Sequence, residues 1–272
     1  MEQEQSQDIN QQALLAALAL GTAGASKAIT NHMFSYGDRD EPDTPRDSHV
    51  RARRRLNNAA NKAIQEVNPS FDPQRQLGAR NVAPGSQGYP ATMYSGKRPD
   101  GTEAFKIHYN QNIDRLSYAH ELGHVLSQNK PFGHAVSEAR FFMNHNPKVT
   151  EMIKKGTSMM PDNISRSLAP FLSASRLHRG AQYAVPAMLA AAIPGDNDVI
   201  TALAANLALS SPVLLDEALG TKEGLKIMKD AKLPATAKQR MRLAGSFGTY
   251  LSAPLMGAMI GNMGGNLIDE DV

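Results

Sequence analysis

The order of apolar and polar positions along the chain predicts a mainly α-helical protein with a small β element. Residues 47–67 form a predicted basic helix, in which arginines precede a run of Asn and Ala. Pro, Gly and Ser are frequent from residue 68 to residue 100, which indicates an irregular segment. At 103–110, Phe105 and Ile107 alternate with polar residues, and this period of two predicts a strand.

A helix with one apolar face is predicted to follow this strand after a short turn. Its apolar residues recur at helical spacing: Leu116, Ala119, Leu122, Val125 and Leu126. A stripe of this kind is typical of a helix that packs against a core. We therefore expect this helix to be buried.

Four further stretches carry no charged residue: 9–26, 180–195, 199–215 and 243–268. A membrane-spanning helix needs about 20 apolar residues. Acidic residues lie at both termini and at 196–198, whereas Arg and Lys are frequent at 27–179 and 222–242. By the positive-inside rule, this alternation predicts four membrane spans with both termini outside. The alternative is a set of Ala-rich core helices in a soluble domain, which the negative mean hydropathy of the chain favours.

Composition restricts the chemistry of the protein. The chain has 272 residues, enough for one large domain or two small ones, and it has no cysteine. Disulfides and thiolate ligands are therefore excluded, so any metal ion is held by nitrogen and oxygen atoms. The chain opens with acidic rather than basic residues, which argues against a cleaved signal peptide.

The formal net charge of +3 is unevenly distributed, with a cluster of five arginines at positions 46, 51, 53, 54 and 55. No aromatic residue is interleaved with these arginines, and the chain has no tryptophan. Stacking on bases therefore has no obvious partner here. We expect a solvated helical face and no nucleic-acid partner, with binding to nucleic acid or anionic lipid as the alternative.

The predicted buried helix carries the sequence His-Glu-Leu-Gly-His at 120–124, an HExxH motif. Residues four apart share a helical face, so His120 and His124 can bind one metal ion. Glu121 then lies beside the water that the metal activates and is the candidate catalytic base. The motif predicts one zinc ion per chain and metal-assisted hydrolysis.

A catalytic zinc site needs a third protein ligand. The extended motif HExxHxxGxxH is excluded because Ser127 and Lys130 stand where it requires Gly and His. Three candidates remain: His134, Glu138 and Glu217. The simpler interpretation of His134 is an exposed loop residue after a helix break. Glu138 is expected in the first turn of a helix, where the helix dipole favours a glutamate.

Around Glu217 the chain resembles the integral-membrane neutral zinc metallopeptidases, which are gluzincins. The resemblance rests on HExxH and on LLDEALGTKEGLKIM at 214–228, followed by FGTYL at 247–251. In that family a glutamate of a distant ExxA(S/D) helix completes the zinc site. The resemblance therefore implies Glu217 as third ligand, with Glu138 and His134 as alternatives.

The chain departs from the family pattern at two positions of this motif. Gly220 stands in place of the alanine and Thr221 in place of the serine or aspartate. The hydroxyl of Thr221 can still orient a ligand histidine. The later match makes Tyr250 a candidate donor to the oxyanion formed during the reaction.

The resemblance implies a zinc-dependent endopeptidase that hydrolyses peptide or protein substrates at a membrane. The protein would be multi-pass and in contact with membrane lipid, and the positive-inside rule predicts that its active site lies on the cytoplasmic side. The strand at 103–110 would hold the substrate extended. The alternative is a zincin-like structural or membrane-inserting protein, soluble or within a bacteriophage virion, with secondary or no peptidase activity. The intact motif argues against that alternative, because no structural role requires Glu121.

These features divide the chain into three predicted parts. The first is a hydrophobic helix at 1–30, and the second is the basic helix with the irregular segment at 31–100. The third, at 101–272, is a zincin-like metallopeptidase domain that includes the hydrophobic helices near 180–195, 199–215 and 243–268.

Overall fold

The structure is a computed structural model that describes residues 46–81, 91–109, 115–145 and 198–241, and the single positions 243, 244, 247, 248 and 250. The helices with defined bounds are α1 (Arg46–Val67), α2 (Pro73–Gln76), α3 (Arg115–Gln128), α4 (Pro131–His145) and α5 (Asp198–Asp230). The strands are β1 (Leu77–Asn81), β2 (Ala91–Lys97) and β3 (Glu103–Tyr109). A mainly α-helical protein with a small β element is therefore confirmed for this part of the chain.

The chain divides into two compact units. One unit comprises Ile29–Glu138 and Leu215–Phe247. The other comprises Met1–Ala28, Ala139–Leu214 and Gly248–Val272. The first unit contains the three strands, α1, α3 and the second half of α5, and it has its own core.

The three strands form one mixed sheet in the order β1-β3-β2. β1 runs parallel to β3 and places Leu77 opposite Phe105, whereas β2 is antiparallel and places Met93 opposite Ile107. The predicted strand at 103–110 is confirmed as β3. The prediction of an irregular segment at 68–100 is wrong where β1 and β2 form, because pairing with β3 outweighs the local content of Pro and Gly.

The position of β3 also corrects an expectation about the substrate. β3 has a hydrogen-bonded neighbour on each side, so it has no free edge for an extended peptide. Among the described strands, β1 and β2 are the edges. Of these, β2 packs against α3, the helix that carries HExxH.

The core of this unit is formed by one face each of α1, α3 and the sheet, together with the end of α5. The apolar stripe of α3 is buried as predicted. It packs in one cluster with Leu56 and Ile64 of α1, Phe105 and Ile107 of β3, and Ile227 and Met228 of α5. This cluster fixes α3 from several sides, so the motif helix is a rigid support for a site.

Two arginines of the basic cluster make contacts within the protein. The guanidinium carbon of Arg53 lies 4.9 Å from the centroid of the Tyr109 ring. Arg55 donates hydrogen bonds to the carbonyls of Ala231 (2.5 Å) and Lys232 (3.1 Å), at the end of α5. The predicted basic helix is confirmed, and two of its arginines contact other elements of the protein.

Among the helices in the described part of the chain, none is long and apolar enough to cross a membrane. The hydrophobic stretch 199–215 lies in α5, which continues through Pro212. Pro212 has no N–H for the carbonyl of Ala208, and the hydroxyl of Ser211 donates to that carbonyl at 2.6 Å. The other predicted hydrophobic helices, at 1–30, 180–195 and 243–268, lie wholly or largely outside the described residues.

Candidate metal centre

Three of the predicted ligand residues converge between helices α3 and α5. His120 and His124 lie one turn apart on α3, and their Nε2 atoms are 3.1 Å from each other. Oε2 of Glu217 on α5 lies 3.2 Å from Nε2 of His120 and 3.6 Å from Nε2 of His124. The three side chains are 12, 6 and 7 % exposed. The three donor atoms therefore converge on one point, and the side chains that carry them are largely buried.

The spacing of these atoms fits a zinc ion. Zinc bonds of 2.0–2.2 Å in a tetrahedral arrangement place the ligand atoms roughly 3.3–3.6 Å apart. The separations of 3.1, 3.2 and 3.6 Å lie close to that range. Two imidazole nitrogens and one carboxylate oxygen are also a donor set that zinc accepts, and three protein ligands are the number that catalytic zinc sites use. The group could hold a metal ion.

The outer nitrogen of each histidine has a partner on α5. Oγ1 of Thr221 lies 3.3 Å from Nδ1 of His120. Oδ1 of Asp216 lies 3.4 Å from Nδ1 of His124. The sequence predicts Thr221 in this role, whereas Asp216 is not among the predicted residues. Its only sequence signal is that it directly precedes Glu217.

The electrostatics of the site favour a cation. Burial by itself lowers the pKa of His124, but the carboxylates of Asp216 and Glu217 outweigh it and raise the pKa to about 10. Two carboxylates in a poorly solvated place stabilise positive charge strongly. The negative potential of these two carboxylates would also favour a divalent ion bound between His120, His124 and Glu217.

Glu121 occupies the neighbouring position on α3 and is held from the side of the sheet. Burial raises the pKa of its carboxyl, the two imidazoles act in the opposite direction, and Glu217 adds to the increase. The backbone N–H of Met93 in β2 donates a hydrogen bond to the Glu121 carboxylate. No sequence signal could have identified Met93, because a backbone amide is present at almost every residue.

Glycines allow the two helices to approach this closely. A β-carbon on Gly123 of α3 would collide with the carbonyl oxygen of Gly220, and one on Gly224 would lie 2.8 Å from the carbonyl oxygen of Ala119. A β-carbon on Gly220 would lie 2.6 Å from Cε1 of His124. Position 220 therefore requires a glycine, because the ring of His124 occupies the space that a methyl group would need.

The alternative third ligands lie elsewhere. His134 and Glu138 of α4 form a separate group with Glu103 of β3, in which the ligand atoms lie within 4.8 Å of one another. His134 and Glu138 are both exposed. The expectation that Glu138 lies in a first helical turn is wrong, because α4 begins at Pro131, a residue well suited to a helix start. Tyr250 belongs to the other compact unit.

No protein-family model, curated protein sequence or solved structure matches the chain. The resemblance to the integral-membrane metallopeptidases therefore stays a prediction that rests on its motifs.

Proposed function

We propose that the protein is a zinc-dependent hydrolase of peptide bonds, with His120, His124 and Glu217 as zinc ligands and Glu121 as catalytic base. The observation that carries the proposal is the convergence of three donor atoms to within 3.6 Å of one another, with the partners of both histidines also in place. A purely structural role would not account for Glu121 beside this group.

Zinc held by these residues would supply Lewis acidity that activates water and polarises the scissile carbonyl. The protein supplies the proton transfers. The Glu121 carboxylate accepts the proton of the attacking water and donates it to the leaving amine. Burial raises the pKa of Glu121, which makes its carboxylate a stronger base than that of an exposed glutamate. The Met93 N–H keeps the carboxylate oriented during these transfers.

The edge of β2 is the proposed binding surface for an extended substrate. A peptide can add to an exposed sheet edge through main-chain hydrogen bonds. β2 packs against α3, and its residue Met93 contacts Glu121. A peptide on this edge would therefore run beside the catalytic base.

The substitution Glu121→Gln tests the proposal. It keeps the size of the side chain and all three ligands but removes the base, so we expect about one zinc per chain with hydrolysis at least about 10²-fold slower. Zinc is measured by mass spectrometry of the dialysed protein, and hydrolysis with a quenched peptide library. Glu138→Gln, on the exposed face of α4, is the matched control and should leave both unchanged.

A Glu121→Gln variant that cleaves peptides at the wild-type rate would contradict the role of the base. A wild-type protein that binds zinc but cleaves no peptide would instead favour the zincin-like structural protein.

A further inference from the structure

Asp216 is a buried carboxylate that the mechanism above does not use. It is 2 % exposed, and it lies on α5 directly before Glu217. Burying an ionised carboxylate costs several kcal/mol unless nearby groups compensate for the loss of water. Its contact with the imidazole of His124 brings two side chains together that are 3 % and 6 % exposed. Asp216 is therefore a buried carboxylate in contact with a proposed metal ligand.

The chemistry of imidazole defines that role. A neutral histidine that offers the lone pair of Nε2 to a metal carries its proton on Nδ1. In His124, Nε2 points toward His120 and Glu217, and Nδ1 lies 3.4 Å from the Asp216 carboxylate. A buried N–H without an acceptor is costly, whereas a carboxylate acceptor makes a strong, charge-assisted hydrogen bond.

We propose that Asp216 is the positioning residue of His124: its carboxylate accepts the Nδ1 proton and holds the ring with Nε2 directed at the metal. The proposal rests on the metal site proposed above. The distance of 3.4 Å is slightly long for a hydrogen bond. Contacts of this kind often shorten when the site is loaded.

The two histidines are supported unequally. Nδ1 of His120 faces the neutral hydroxyl of Thr221, whereas Nδ1 of His124 faces an anion. The carboxylates of Asp216 and Glu217 together balance the two positive charges of a divalent ion. Removing the charge of Asp216 should therefore weaken metal binding more than removing the hydroxyl of Thr221.

The geometry of α5 explains how one helix provides all of these groups. Asp216 and Gly220 lie four residues apart, as do Glu217 and Thr221, so each pair shares a helical face. Gly220 admits the ring of His124, and Asp216 contacts the same ring one turn earlier. A short segment of α5 thus supplies the third ligand, both positioning groups and the space for a ligand ring.

The test compares Asp216→Asn with a matched control on the same helix. Glu223 is also buried, at 4 % exposure, but its carboxylate pairs with Lys130 at 2.6 Å rather than with a histidine. Glu223→Gln removes a buried charge without touching the site. The apparent zinc affinity of the 272-residue chain is measured by competition with a chelator, and the absorption spectrum of bound Co²⁺ reports the ligand geometry.

We expect Asp216→Asn to lose about 10–100-fold in zinc affinity and to alter the Co²⁺ spectrum. Glu223→Gln should keep the wild-type affinity and spectrum even if its melting temperature falls. Equal losses in both variants would assign the effect to helix stability and overturn the proposal. Wild-type affinity in Asp216→Ala, which removes the acceptor as well as the charge, would also overturn it, while leaving the metal site itself intact.

A second measurement does not depend on the folding of a variant. Long-range ¹H–¹⁵N spectra of the zinc-loaded wild type report which ring nitrogen of each histidine carries the proton. A protonated, hydrogen-bonded Nδ1 in His124 supports the proposal. Metal ligation through Nδ1 of His124 would overturn it, and a wild type that binds no zinc at all would remove the metal site together with this inference.

Discussion

Gly220 lies directly against the imidazole ring of His124. A β-carbon at position 220 would come within 2.6 Å of Cε1, 2.7 Å of Nε2 and 2.8 Å of Nδ1. Real side chains do not approach one another this closely, so the ring can keep its place only beside a glycine. The close packing of α5 on α3 and the position of the proposed ligand His124 therefore both depend on the glycine at position 220.

The substitution Gly220→Ala should displace the His124 ring and weaken zinc binding about 10–100-fold. Helix propensity alone would predict that the variant is more stable, because alanine favours a helix by about 1 kcal/mol over glycine. Zinc competition and thermal melting separate the two effects. Gly78→Ala is the control, since its β-carbon would lie 3.9 Å from the nearest neighbouring atom, the carbonyl oxygen of Phe105. Unchanged zinc affinity in Gly220→Ala would mean that the ring does not occupy this position.

The role of Glu217 is tested by Glu217→Gln, which keeps the shape of the side chain and removes its charge. We expect most of the zinc to be lost on dialysis, because two imidazoles alone do not make a stable catalytic site. Zinc per chain in the purified protein is the measurement. Glu138→Gln, which alters one of the alternative ligands, should keep its zinc. The reverse pattern would move the third ligand to the group on α4.

The local part of this architecture could be predicted from sequence. The stripe from Leu116 to Leu126 has the period of a helix, and HExxH places two imidazoles on one face whatever surrounds them. The alternation around Phe105 and Ile107 likewise predicts β3. In each case, the signal and the structure involve the same few neighbouring residues.

The remainder depends on contacts between distant parts of the chain. Leu77 and Met93 enter the sheet because β3 is there to pair with them, and their own segment is rich in Pro and Gly. The role proposed for Asp216 can be recognised only once the fold places it beside His124, which lies on another helix. The start of α4 at Pro131 is different, because proline is favoured at the first helical position and the sequence already carried that signal.

The stability of the protein should depend on Tyr118 at alkaline pH. The side chain is buried, its hydroxyl donates to Oδ1 of Asn57 at 3.0 Å, and burial raises its pKa from 10.0 to about 12. Since the folded-state pKa is the higher one, the stabilisation is complete below pH 10 and is lost between about pH 10 and 12. The free energy of unfolding should fall by on the order of 2–3 kcal/mol across this window because of Tyr118 alone.

Urea titrations at several pH values between 8 and 12 measure this effect. In Tyr118→Phe the residue cannot ionise, so the alkaline loss should be smaller by that amount. The variant should also be less stable at pH 8 by about 1 kcal/mol, because Asn57 loses its hydrogen-bond donor. Parallel pH profiles for the two proteins would show that Tyr118 does not titrate with folding.

The end of α5 offers a stabilising substitution. Lys232 has a φ of 54°, in the left-handed region that side chains disfavour. The N–H of Leu233 donates to Met228 and that of Lys232 to Lys229, each at 2.9 Å, which is the arrangement that favours glycine after a helix. Lys232→Gly should therefore stabilise the protein by roughly 0.5–1 kcal/mol, even after the larger chain entropy of glycine in the unfolded state.

Urea unfolding at neutral pH measures the gain in stability. Lys232→Ala is the matched control, because it removes the same side chain but keeps the β-carbon, and it should give no such gain. Equal stability of the glycine and alanine variants would show that the backbone at position 232 is not held in this conformation.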